Sequence, residues 1–437
     1  MQQCNEETYN QPMIVSIKNK VSGTSGTGFF VRENLIATNI HCIAGATSVS
    51  AKLLDSNTEY DVEGVVAFDD KNDLVILKVS GIGTRFRIGN SDMIKKGEFV
   101  QAIGCIDGKY ETKEGVYHRS VNNGQWLQTT ADTEDGYSGG PLLDGKGLFI
   151  GVNFGSGKYY SAAVTSNILN GLLSQTNEIE TLTQWQNRKQ IKAYDYLVKS
   201  KRKIKTKHYT EAIDNLDKTI RKHPNYIIAY INRGDARKSL AVSKIDEEAL
   251  VEAQQLLRSA IDDYTEAIRL CPDFSTAYKA RGTAKSVLSQ SITAESDPSE
   301  KQQLLKHAIY DFDEVIRLSP AHADTYNNRA DAQLHLAKSE SESENTEKIQ
   351  EWYKNAMIDI NIAIEQHSNN PIEEDPNTAL FYHTRGEIKE AMGNLSGAKY
   401  DFQEAIKNTE YIKDSTVSDD LKRVKDKLTN DGVNGTN

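Results

Sequence analysis

Residues 135–147 read DGYSGGPLLDGKG, a lone serine, Ser138, held between Gly136–Tyr137 and the pair Gly139–Gly140. Glycine is placed where a backbone must turn left-handed or pass close to another group. A serine in such a turn can expose its Oγ and aim its own N–H at a reacting carbonyl. Taken alone, the stretch reads first as a surface loop. A base, and a group to orient that base, have to come from elsewhere in the chain.

Working outward from the serine, residues 1 to about 175 carry strand grammar. MIVSIKN, GTGFFV, NLIATN, DLVILKV, EFVQAIG, LFIGVNF and YYSAAVT are short β-branched or alternating runs cut by Gly, Asn and Asp turns. Many short strands at regular spacing point to an all-β barrel or sandwich. Upstream, His41 closes the apolar run LIATNIHCIAGA and Asp73 stands at the mouth of DDKNDLVILKV. Singly, His41 reads as a packed core histidine and Asp73 as a turn residue. A carboxylate at the start of so apolar a strand is costly to bury unless it is hydrogen-bonded.

Beyond residue 176 the grammar changes to charged helical periodicity, and it repeats. AYINRGDARKSL, AYKARGTAKSVL, TYNNRADAQLHL and FYHTRGEIKEAM are each answered by a second helix such as AIYDFDEVIRLSP. Tyr230, Tyr278, Tyr326 and Tyr382 stand 48, 48 and 56 residues apart, and each is followed four residues on by Gly234, Gly282, Ala330 or Gly386. A small residue there lets two helices cross closely. The pattern resembles the tetratricopeptide repeat, whose usual period is about 34 residues. The surplus lies between the two helices of a unit, where it either lengthens both or forms polar loops. The expected organisation is a β domain at 1–175, a linker at 176–190, helical repeats at 191–430 with a closing helix near 414–428, and a disordered tail at 431–437. Such solenoids present a curved surface to peptides or proteins. Asn232 and Asn328, with Arg233 and Arg329 beside them, are the expected partner-binding positions. The matching Ala280 and Thr384 break any uniform pattern.

Composition bounds the rest. The chain has 437 residues, 38% of them apolar and 26% charged, with a formal charge of −10. That acidity argues against a general nucleic-acid binder. The basic stretch 187–208 is the one place where nucleic acid or an acidic protein would dock. There is no run of 18 apolar residues and the N-terminal stretch lacks a basic start followed by an apolar run, so neither a membrane span nor a secretory signal is expected. Four scattered cysteines, Cys4, Cys42, Cys105 and Cys271, form no CxxC pair, so neither zinc nor a disulfide framework is expected. The expectation is a cytoplasmic protein with no metal or cofactor.

The order His41, Asp73, Ser138 is the arrangement used for nucleophilic acyl transfer on double β-barrels. GTGFFVRENLIATNIHCIAGA, DDKNDLVILKV and GYSGGPLLDGKGLFIGVN together resemble the three catalytic blocks of trypsin-like serine proteases, the HtrA branch above all. The resemblance covers the first 170 residues and implies a chymotrypsin-like double β-barrel followed by an all-α repeat solenoid. It implies His41, Asp73 and Ser138 as the triad, and the N–H groups of Gly136 and Ser138 as the oxyanion hole. It implies Asp132, six residues before Ser138, with Phe154 and Gly155, as substrate-binding residues. A buried or half-buried Asp132 would select arginine or lysine; the rival preference is for small apolar residues, with Tyr159 or Tyr160 closing the pocket.

Departures from the family qualify the picture. Cys42 has no partner in GTGFF, and Tyr137 replaces the aspartate that would capture a freed N-terminus. The repeats stand where HtrA proteins carry a PDZ-like module. The reading is an intracellular serine endopeptidase whose repeats recruit a protein substrate or regulatory partner, in a setting such as bacterial signalling or antiviral defence. The alternatives are a catalytically silent scaffold and a general quality-control protease. Deleting 190–437 is expected to spare hydrolysis of small esters.

Overall fold

The computed structural model describes residues 13–408 except 22, 55, 57, 158–159, 293–297, 321–322, 341–345 and 369–376, together with 420, 422–424 and 426. The expected tail, most of the closing helix, and Tyr159 fall outside these residues. The chain divides into two compact units, one of residues 1–236 with 270–273 and one of the remainder.

The first unit holds two closed six-stranded barrels. Barrel one comprises β1 (Ile14–Asn19), β2 (Ser25–Arg32), β3 (Leu35–Asn39), β4 (Val49–Leu53), β5 (Glu59–Asp69) and β6 (Leu74–Val79), closed by β1 pairing with both β2 and β4. Barrel two comprises β7 (Phe99–Ile106), β8 (Lys109–Val121), β9 (Trp126–Thr129), β10 (Pro141–Asp144), β11 (Phe149–Gly157) and β12 (Tyr160–Thr165), closed by β7 on β10. All seven runs picked out by alternation are strands. Closure leaves no exposed sheet edge to pair with other chains. Phe29 of β2 joins the barrels by packing on Phe149 of β11, ring centroids 4.9 Å apart.

The unit does not end with the barrels. After α1 (Ile40–Ile43) and α2 (Ser166–Leu173) come α3 (Leu182–Gln186), α4 (Lys189–Lys205), α5 (Tyr209–Lys222) and the start of α6 (Ile227–Asp246). The expected linker 176–190 thus carries α3, opened by a capping box between Thr181 and Gln184. Trp185, Ile191, Tyr194 and Leu197 share one apolar core with Ile40, Ile43 and Val75 of barrel one. Helices α3 and α4 therefore bury their apolar faces on the barrel that carries His41.

The second unit is helical. Its pairs are α8 (Ser275–Ser291) with α9 (Pro298–Leu318), α10 (Ala323–Glu340) with α11 (Thr346–Ser368), and α12 (Asn377–Ala391) with α13 (Leu395–Lys407). The surplus between paired helices lengthens them: α7 (Leu250–Leu270) and α9 each run 21 residues and α11 runs 23. A Cβ on Gly282 would lie 2.8 Å from the Phe312 ring, and one on Gly386 would lie 2.6 Å from Phe402, so these crossings need glycine. Among the described residues no helix is long and apolar enough to cross a membrane.

Candidate active site

The loop between β9 and β10 carries Ser138, and its glycines are required by geometry. Gly136 and Gly139 have φ of +107° and +84°, a region that L side chains rarely adopt. A Cβ on Gly139 would stand 2.2 Å from the Thr27 carbonyl oxygen. Thr27, on β2, ties the loop across the barrels: its hydroxyl donates to the Gly136 carbonyl at 2.6 Å and accepts from the Cys105 N–H at 2.7 Å. The Thr27 N–H donates to the Ser138 carbonyl at 2.9 Å. Beneath the loop Tyr137 is buried, and burial pushes its phenol up to about 12. Among the described residues no hydrogen bond engages the N–H of Gly136 or of Ser138. Two donors are thus left beside the half-buried Ser138.

His41 lies in α1, a single turn entered from β3. Its Nδ1 meets the Asp73 Oδ2, and its own backbone N–H donates to the Asp73 Oδ1 at 3.0 Å. Asp73 is buried, with an unusual φ of +57°. Its carbonyl is held by the Ile40 N–H at 3.1 Å and the Asn39 amide at 2.9 Å. Both ends of Asp73 are therefore fixed by the segment that carries His41. Burial by itself would lower the imidazole's affinity for protons. The Asp73 carboxylate and Cys42 outweigh it, and the His41 pKa is raised from 6.5 to about 10. The Cys42 thiol points at the Ser138 carbonyl, 3.6 Å away, bringing the histidine turn against the serine loop.

His41, Cys42, Gly136 and Ser138 line one cavity of about 370 Å³. Residues 26–152 match the trypsin-like peptidase domain family. Serine protease HTRA1 of Xenopus tropicalis is 31% identical over 155 residues, 32% of this chain and 33% of its own length. A probable periplasmic DegP-like serine endoprotease of Hahella chejuensis is 34% identical over 139 residues, 30% of this chain and 29% of its own. The Rv3671c protease of M. tuberculosis, in its active form, is 23% identical with a TM-score of 0.36, over 39% of this chain and 84% of that one. The chain spans about a third of the length of the curated relatives it matches. The two barrels are thus similar to the peptidase domains of HtrA-type proteases.

Other expected residues fall elsewhere. Asp132 is exposed and does not line the cavity around Ser138, so the enclosed carboxylate expected of it is absent. Its neighbours explain this. Ala131 is buried and Thr133 is fixed inward on the Ser161 hydroxyl at 2.6 Å, so the residue between them points outward. Phe154 is buried against Trp126, centroids 4.9 Å apart, and lines a different cavity, of about 400 Å³, that includes Asp73 and Trp126. Gly155 marks a register shift in β11 with open space about it. Arg233 is paired with Asp217 at 2.6 Å. Arg329 is paired with Asp359 at 2.6 Å and stacks on Tyr326. Both arginines are thus engaged within the fold. The same pairing recurs as Arg281–Asp311 and Arg385–Asp401, each 2.7 Å. Asn232 and Asn328 are half-buried.

Three residues beyond the barrels hold the segments next to His41 and Asp73. The Gln186 amide accepts from the Gly45 N–H at 2.9 Å and donates to the Ile43 carbonyl at 2.7 Å, clamping the turn just after His41. The Tyr194 hydroxyl donates to the Asp70 carbonyl at 2.8 Å, and His223 Nε2 lies 3.0 Å from the same oxygen, three residues before Asp73. No motif marks these residues. Their role arises from chain packing more than 100 residues apart in sequence.

Proposed function

We propose that this protein is a serine endopeptidase working through His41, Asp73 and Ser138. The observation that carries the reading is the buried Asp73 holding Nδ1 of His41 at the wall of the cavity that Ser138 lines. Asp73 fixes the imidazole orientation, leaving Nε2 to accept the Ser138 proton as Oγ attacks a peptide carbonyl. The N–H groups of Gly136 and Ser138 receive the developing oxyanion, a contribution of about 3–4 kcal/mol per donor in such sites. His41 then delivers the proton to the departing amine, and water repeats the sequence on the acyl-enzyme.

The helical region reads as a tetratricopeptide array that recruits a protein substrate or regulatory partner. Its repeated Tyr–Arg–Asp ladder supports that reading, with half-buried Asn232 and Asn328, outside the ladder, as the partner contacts. The free, buried thiols of Cys42, Cys105 and Cys271 favour a reducing compartment such as the cytoplasm. A fluorophosphonate probe tests the chemistry. It should label the full chain at Ser138, and Ser138→Ala should abolish both labelling and peptide hydrolysis. Absence of labelling would instead favour the silent scaffold.

A further inference from the structure

The cavity of about 400 Å³ beside Asp73 takes its walls from both barrels and from the turn joining α5 to α6. Its apolar lining is Trp126, Phe154, Tyr226, Ile227, Ile228 and Leu270. Much of its polar lining is spent on bonds within the fold. The Trp126 Nε1–H donates to the Asn72 Oδ1 at 3.0 Å, and the Asn72 amide donates to the Asp69 carboxylate at 2.8 Å. The Asn122 amide donates to the Gln125 Oε1 at 3.1 Å. The charges cancel in number, Lys71 and Lys222 against Asp70 and Asp73, and Asp73 is committed to His41. What this space offers a ligand is apolar surface and shape, not charge.

Strand β11 leads from the Ser138 loop to this cavity. The Asn153 carbonyl accepts from the Gly139 N–H at 2.8 Å, its N–H donates to the Gly140 carbonyl at 2.9 Å, and Phe154 follows at once. The catalytic cavity and this one share no lining residue, yet His41 lines the first and Asp73 the second, and the two are bonded to each other. The departing nitrogen of a substrate must face the imidazole that protonates it. His41 lines the catalytic cavity with Cys42, Thr24 and Ser25, so the departing half leaves on that side. The acyl half is left to run along β11 toward Phe154. The wall it meets there comes from the helices. Tyr226 is buried with its ring against those of Tyr194 and His223, centroids 5.0 and 5.2 Å away, and His223 is held on the Asp70 carbonyl. Pro224 and Asn225 are exposed on the same turn.

We infer that the turn joining α5 to α6 is a specificity element, closing this cavity into a pocket for one large apolar side chain of the substrate's acyl half. The inference rests on the peptidase reading and names a substrate class for it: peptides with Leu, Phe or Trp among the second to fourth residues before the cut bond. A concave site already formed and lined by aromatic side chains gains from being filled and loses little to ordering.

The test uses the full chain and quenched-fluorescent peptides that share one departing half and the residue just before the cut. They differ only in the three residues preceding that one. At one of these positions Phe or Leu should exceed Ser in kcat/KM by about tenfold or more, and neither Lys nor Asp should gain that advantage. Raising sodium chloride should not narrow the spread, because apolar contact is not screened. Asn225→Trp places a ring at the exposed part of the turn and should bring the ratio of Phe to Ser toward one. Ile228→Ala widens the pocket and should shift the preferred side chain from Phe toward Trp, a change that partial unfolding does not produce. A flat profile in the wild type overturns the inference, as does an apolar preference that both variants leave unmoved. Fluorophosphonate labelling separates the two readings. Labelled protein with a flat profile removes only the apolar selection, whereas unlabelled wild type removes the peptidase reading and the selection with it.

Discussion

Asp73 adopts a left-handed backbone with φ of +57°, uncommon for a residue other than glycine, and its hydrogen bonds to Ile40, Asn39 and His41 hold it there. Asparagine tolerates that conformation well, so Asp73→Asn removes charge while keeping the turn. The expected result is a loss of about 10⁴-fold in kcat with the fold intact by circular dichroism. The same carboxylate sets the pH profile. His41 must be neutral to accept a proton, and its pKa is raised, so kcat/KM should climb as pH rises through a value above 6.5. A midpoint at or below 6.5 in a pH–rate profile would contradict the Asp73 effect. Gly139→Ala places a Cβ 2.2 Å from the Thr27 carbonyl in a strained backbone, and should cost more than about 1–3 kcal/mol in chemical denaturation. At this scale the sequence was most readable, because the need for glycine around Ser138 is local. The offset of Asp132 from Ser138 says nothing of which way its side chain points. That direction is set by Thr133 bonding Ser161, on another strand.

Strands with clean alternation were visible in the sequence, while β8, with its polar KYETKEGVYHRSV, was not. Helices α4 and α5 are legible as helices but not as companions of barrel one, and α3 falls in the expected linker, because amphipathic periodicity shows that a face is buried without showing against what. The structure buries that face on barrel one and adds the Gln186 clamp and the Tyr194 bond to Asp70. Cutting near 190 keeps Gln186 but removes Tyr194 and His223, so small-ester hydrolysis should fall in part. A chain of residues 1–236 is expected to hydrolyse a small ester at close to the full-length rate. A chain of residues 1–175 should lose most of that rate and melt lower, by burst kinetics and calorimetry. Equal rates for the two would show that the helices do not brace the site.

Across the whole molecule, each of three helix pairs buries an aspartate: Asp311, Asp359 and Asp401 are all nearly inaccessible. Each is met by an arginine from the preceding helix. The arginines were legible as a recurring position, but their partners lie 16 or 30 residues onward, so pairing and ligand binding looked alike in the sequence. Removing one partner of a buried pair strands the other charge, and Arg329→Ala should cost about 3–5 kcal/mol. With two compact units, thermal unfolding is expected in two steps, and this variant should lower only the step belonging to the helical unit. The Gln186 clamp has a further consequence, for how such a gene can be rearranged. A recombination joint near codon 175 would transmit barrels whose Gly45 N–H, Ile43 carbonyl and Asp70 carbonyl have lost their partners. A joint after codon 236 would keep those partners, so the heritable module is longer than the barrels, and new helical arrays can be exchanged behind it without disturbing the contacts beside His41 and Asp73.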